Sequence, residues 1–98
     1  MKRVLVCEDE EAIREFVVIN LKRAGYEVVD VDCGEAALRV FDQEGGNFDI
    51  ALLDIMMPGI DGITVLKRLR EKSKTLGIIM LSAKAQEMDK VNAHRLAR

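Results

Sequence analysis

Carboxylates close two of the chain's apolar runs, and a hydroxyl closes a third. Val4-Leu5-Val6-Cys7 leads into Glu8-Asp9-Glu10-Glu11, Ile50-Ala51-Leu52-Leu53 leads into Asp54, and Ile78-Ile79-Met80-Leu81 leads into Ser82. Carboxylates brought together from such ends repel one another, and a hard divalent cation relieves that repulsion. Mg²⁺ takes oxygen ligands, keeps several waters, and typically uses one or two carboxylates together with phosphate oxygens. An aspartate held beside it can act as a covalent nucleophile toward phosphorus. A nearby hydroxyl or ammonium can then bind the remaining oxygens of the transferred group. The residue types therefore point to phosphoryl chemistry on a carboxylate.

That chemistry requires the three ends to meet, so the elements between them matter. Arg3–Cys7 and Ile50–Leu53 are continuous apolar runs bounded by turn signals, as expected of strands buried on both faces of a parallel sheet. Ile78–Leu81 reads as a further buried strand, and Glu27–Asp32, more alternating, as a strand nearer a sheet edge. Between them the spacing predicts a helix that turns Ile13, Phe16, Val17, Leu21 and Ala24 inward and ends near Gly25. A second helix spans Gly34 to Glu44, and a third runs from Ile63 to Lys72 with Ile63, Leu66 and Leu69 inward. Met57-Pro58-Gly59 must break the chain after Asp54, and Asp61 is placed to cap the third helix. A fourth helix is expected from about Gln86. Strands alternating with helices through short connections imply right-handed crossovers and an α/β parallel sheet, whose ligands collect at the carboxyl ends of the strands.

Ninety-eight residues give one domain. With 49% hydrophobic and 33% charged residues, the composition is that of a folded domain rather than a disordered one. A net charge of −2 with both signs interspersed predicts no broad basic face, hence no nucleic-acid contact by this segment. No apolar run is long enough to span a bilayer, so no membrane association is expected. Cys7 and Cys33 lack metal spacing and form no disulfide framework, which suits reduced thiols in a cytoplasmic protein.

Each candidate also has a simpler reading. Asp54 can cap its Pro-Gly turn, Glu8 and Asp9 can start the first helix with favourable negative charge, and Ser82 can satisfy backbone groups. Met56 and Met57 suit loop packing, Cys7 the core, Cys33 a helix start, and His94 an exposed position without a role. Asp30-Val31-Asp32 looks like the nucleophile loop of aspartate-dependent phosphohydrolases, although Cys33-Gly34 departs from the pattern expected there. What favours the functional reading is the constellation: Asp54 with Asp9 and Ser82 at sister strand ends.

Val6-Cys7-Glu8-Asp9-Glu10, Leu53-Asp54-Ile55-Met56-Met57-Pro58-Gly59-Ile60-Asp61-Gly62 and Met80-Leu81-Ser82-Ala83-Lys84 resemble the three diagnostic blocks of the receiver domain of bacterial two-component response regulators. The resemblance covers residues 1 to about 92 and implies a flavodoxin-like, doubly wound parallel sheet of order 2-1-3-4, to which the family adds a fifth strand. Carried over by position, Asp54 resembles the phosphoryl acceptor. Glu8 and Asp9 resemble the acidic pair, Asp9 being a direct Mg²⁺ ligand, and Met56 lends its backbone carbonyl. Ser82 resembles the switch hydroxyl. The implied partner is a sensor histidine kinase, and the implied role is a signalling module rather than an enzyme. The subtype resembles regulators that carry a winged-helix DNA-binding domain.

The chain also departs from the family. The family pattern continues with a fifth strand, a lysine before a proline and a fifth helix, none of which follows here. Residues 93–98 form an anomalous basic tail, and Lys84 matches an exposed position of the family rather than the missing lysine. A truncated, frameshifted or engineered end fits the letters equally well. The expected consequences are an unpaired edge on the fourth strand, uncovered apolar surface and self-association through the fourth-strand and fourth-helix side. A receiver fragment unable to accept phosphate, acting only as an interaction module, is the alternative.

Overall fold

The computed structural model describes residues 1–81, which form four strands and three helices in strict alternation. They are β1 (Arg3–Cys7), α1 (Glu11–Arg23), β2 (Glu27–Val31), α2 (Gly34–Gln43), β3 (Ile50–Asp54), α3 (Gly62–Lys72) and β4 (Gly77–Leu81). The strands are all parallel in the order β2-β1-β3-β4, as the sequence predicts, and β2 is indeed an edge. The expected fourth helix and the tail lie outside the described residues.

Because successive side chains of a strand point to opposite faces, β1 and β3 divide the core in two. Leu5, Cys7, Ala51 and Leu53 face α2 and α3, where they pack with Ala37, Phe41, Val65 and Leu69. Val4, Val6 and Leu52 face the other way, against Val17 and Leu21 of α1. A strand buried on both sides has no room for alternation, which is why both segments read as unbroken apolar runs.

The helix faces differ in part from the expectation. On α1 the half-buried stripe is Ile13, Arg14, Val17, Val18 and Leu21, while Phe16 is 68% exposed. Phe16 lies off that stripe, on the side turned from the sheet, because α1 packs along β1 and β2 only through this narrow face. On α3 the buried residues are Gly62, Val65 and Leu69, with Leu66 half-buried and Ile63 exposed. Here the cause is steric: a Cβ at Gly62 would collide with the Asp54 carbonyl and approach the Ile55 Cα to 2.9 Å. Only glycine lets the start of α3 press onto the end of β3, and that approach rotates Val65 inward in place of Ile63.

β4 is less buried than predicted. Its residues alternate between exposed and half-buried up to Met80, with Ile79 about half exposed. Among the described residues β4 pairs only with β3, so it forms an edge of the described sheet. No helix among the described residues is long and apolar enough to cross a membrane.

These faces separate two substitutions that the sequence treats alike. Leu69→Ala is expected to lower stability to urea unfolding by about 2–5 kcal/mol, as for a fully buried leucine. Phe16→Ala is expected to stay within about 0.5 kcal/mol.

Candidate functional site

The register of the sheet builds the site. Cys7 lies opposite Leu53 in the β1–β3 pairing, so the next residues, Glu8 and Asp54, emerge side by side at the carboxyl edge. Asp54 in turn lies opposite Leu81 of β4. One carboxylate oxygen from each of Glu8, Asp9 and Asp54 falls within 4.8 Å of the others. Glu8 and Asp54 are buried and Asp9 is half-buried, so the cluster opens to solvent on the Asp9 side.

Short hydrogen bonds hold the loops that carry these acids. The Glu8 N–H donates to the Val31 carbonyl at 3.1 Å, extending the sheet one residue past β1. Glu8 Oε2 accepts from the Glu10 N–H at 2.9 Å, and the Glu8 carbonyl accepts from Arg14 Nη1 at 2.9 Å. After β3, Asp54 Oδ1 accepts from the Met56 N–H at 3.3 Å, and the Ile55 N–H donates to the Leu81 carbonyl at 3.2 Å. Gly59 takes φ +80°, a left-handed turn that suits glycine. Asp61 then caps α3 by accepting from the Thr64 N–H at 2.9 Å, and that bond holds its carboxyl below the usual carboxylate range.

A cavity of about 520 Å³ adjoins the acids, lined by Asp9, Ile55, Met56, Met57, Pro58 and Asp61. The two methionines divide their work. Met57 is buried, with Cys7 Sγ donating to its Sδ at 3.5 Å, whereas the Met56 side chain is exposed at the rim. Burial, reinforced by Cys33 and by the negative charges of Asp54, Glu8 and Asp32, pushes the Cys7 thiol up to about 12. Cys7 is thus a core residue, as its apolar setting predicts, and Cys33 stands at the start of α2.

The donor set is three carboxylates, all hard oxygen ligands, crowded where their mutual repulsion is poorly screened. That chemistry fits a divalent cation of the Mg²⁺ type. The sequence-based candidates Glu8, Asp9, Asp54 and Met56 are therefore brought to one edge, while Ser82, Lys84 and His94 lie outside the described residues. Asp30 and Asp32 remain exposed, and Asp30 pairs with Arg14, its Oδ2 being 3.3 Å from Nε. Two contributors are hard to find in the letters. Gly62 carries a faint signal as the second half of Asp61-Gly62; Arg14 carries none, since its partners belong to other elements.

Residues 4–97 match the sequence model of the response regulator receiver domain family. The chain is 43% identical over 90 residues to PhoP of Bacillus subtilis, an alkaline phosphatase synthesis transcriptional regulatory protein, covering 92% of this chain and 37% of that protein. It is also 43% identical over 91 residues to the sensory transduction protein RegX3 of Mycobacterium tuberculosis, covering 93% and 39%. The chain thus spans less than two fifths of the length of these curated relatives. Among solved structures, it is similar to a chain in the complex of histidine kinase ThkA with response regulator protein TrrA. That match has a TM-score of 0.77 at 46% identity, over 85% of this chain and 70% of that one. TrrA of Thermotoga maritima in complex with Mg²⁺-BeF gives a TM-score of 0.72 at 32% identity, over 98% and 99%.

The buried thiol yields a pH dependence. Above the ordinary thiol value of about 8.5, the unfolded chain loses the Cys7 proton that the folded chain keeps. Stability therefore falls as pH rises from there toward 12, by at most about 1.4 kcal/mol per pH unit from this group. Urea unfolding at several alkaline pH values is expected to show a shallower decline in Cys7→Ala than in the wild type. In the native protein at neutral pH, Cys7 should resist alkylation until urea unfolds the chain.

Proposed function

We propose that this chain, which belongs to the response regulator receiver domain family, is the phosphorylation-controlled part of a two-component signalling protein, with Asp54 as the phosphoryl acceptor. The observation that carries this reading is the meeting of Glu8, Asp9 and Asp54 at the carboxyl edge of the sheet. The donor is a sensor histidine kinase, in keeping with the kinase-bound structure that the chain resembles. In the transfer, a carboxylate oxygen of Asp54 forms a bond to phosphorus while the phosphorus–nitrogen bond of a phosphohistidine breaks. The imidazole leaves with the electron pair and takes up a proton.

Asp9, Asp54 and the backbone carbonyl of Met56 would hold Mg²⁺, with Glu8 completing the acidic group. When bound, the ion supplies positive charge that offsets the crowded carboxylates and the incoming phosphoryl oxygens. The hydrogen bond from the Met56 N–H to Asp54 Oδ1 helps to set the orientation of the carboxylate. Burial of Asp54 keeps bulk water from the product acyl phosphate. Ser82 is assigned the switch hydroxyl on the resemblance alone. The new dianion would bias a surface of the domain between two states, the logic of a phosphorylation switch.

The regulated output would belong to a longer protein, for which the transcriptional regulators among the relatives are the guide. Cytoplasmic location follows from that role. Self-association through the β4 side is part of the same proposal, since Ile79 stands exposed at that edge. It would appear in sedimentation as a concentration-dependent mass that Ile79→Lys lowers.

Incubation with Mg²⁺ and acetyl phosphate tests the acceptor. Intact mass should rise by one phosphoryl group, the adduct should be labile at high pH, and chelation of the metal should suppress it. Asp54→Asn should abolish the gain and Asp9→Asn should slow it. An unchanged mass in a demonstrably folded wild-type chain would reject the acceptor role and leave an interaction fragment.

A further inference from the structure

Arg14 points two ways from the first turns of α1. Its Nη1 donates to the Glu8 carbonyl at 2.9 Å, and its Nε lies 3.3 Å from Oδ2 of Asp30 at the carboxyl-terminal part of β2. The guanidinium is largely withdrawn from solvent, with its side chain 19% exposed, and it forms part of the half-buried stripe of its helix. An arginine on the sheet-facing side of an amphipathic helix needs partners there, and both of these are supplied by other elements.

The Glu8 carbonyl is not an arbitrary acceptor. A peptide unit is planar, so the Glu8 carbonyl shares one rigid plane with the nitrogen and Cα of Asp9. Whatever fixes that oxygen also fixes the origin of the Asp9 side chain. The peptide units on either side are held as well, the Glu8 N–H donating to the Val31 carbonyl and the Glu10 N–H to the Glu8 carboxylate. Arg14 closes this frame from the side. Asp30 holds the guanidinium by an ion pair at Nε while Nη1 is aimed at the loop.

The geometry points to Arg14 as a positioning residue for the cation-binding acids, acting on the Glu8–Asp9 peptide through a guanidinium fork braced by Asp30. The inference rests on the reading that Asp9 ligates a divalent cation. It also gives Asp30 a place in the chain: not a nucleophile, but the anchor of the residue that orients the pocket. Arg14 acts through the backbone and touches no reacting atom.

A planar guanidinium that directs one N–H at a peptide carbonyl while an ion pair holds it from the other side differs from a point charge, and that difference provides the test. Mn²⁺, which shares the preference of Mg²⁺ for carboxylate and water ligands, is titrated into the full chain while its free signal is followed by electron paramagnetic resonance. Far-UV circular dichroism checks the fold of each variant without metal. Both Arg14→Ala and Arg14→Lys are expected to weaken Mn²⁺ binding about tenfold or more, the usual effect of losing a residue that orients a ligand. Asp30→Asn is expected to weaken it less. If Arg14→Ala does not fold, Arg14→Lys and Asp30→Asn decide the matter. Full rescue by lysine would reduce Arg14 to a source of charge and overturn the proposal, as would wild-type affinity in a folded Arg14→Ala chain. A wild-type chain that binds no Mn²⁺ would instead overturn the cation reading on which the proposal stands.

Discussion

Parallel pairing of β1 with β3, with Cys7 opposite Leu53, is the constraint on which the remaining structure depends. Side chains alternate faces along a strand, so a slip of one residue would exchange the two core faces. It would also separate Glu8 from Asp54. The register is fixed because both strands are buried on both sides: Leu5, Cys7, Ala51 and Leu53 fill one cluster, and Val4, Val6 and Leu52 the other. Hydrophobic burial thus sets the spacing of charges that burial alone would never favour. The acids begin where each apolar run ends, Glu8 just past β1 and Asp54 as the last residue of β3.

Crowded carboxylates must be held by something other than their own attraction. The surrounding loops supply that support in small, directed contacts. Gly62 lets α3 press onto the end of β3, and Asp61 caps the same helix through Thr64. Met57 is packed beneath the site against Cys7. On the β1 side, the peptide following Glu8 is caught between β2, the start of α1 and Arg14. Some of these restraints act on the backbone, and two, the Glu10 and Met56 N–H groups, act on the Glu8 and Asp54 carboxylates themselves. A frame of this kind can hold the acids in place while their charge is offset or increased, as the proposed phosphoryl switch requires.

The described residues distribute their helices unevenly. α2 and α3 share one face of the sheet, while α1 lies along β1 and β2 on the other. The larger cluster of buried residues lies in the first layer, around Phe41, Val65 and Leu69. The second presents Ile19 and Phe16 on α1 and Ile79 on β4.

The strands, their order of appearance and the acids at their ends are legible in the sequence, because a doubly buried strand cannot hide its apolar run. Pro58-Gly59 and the Asp61 cap are equally legible, since turn and cap chemistry is local. What periodicity could not settle was rotation about a helix axis. Ile63 and Val65 are both apolar, and only the contact of Gly62 with β3 decides which turns inward. Phe16 likewise fits a helical stripe on paper but lies beyond the reach of the sheet. Nothing in the letters of either segment joins Arg14 to Asp30. Their meeting depends on a helix crossing two strands, a relation between elements that no single segment encodes.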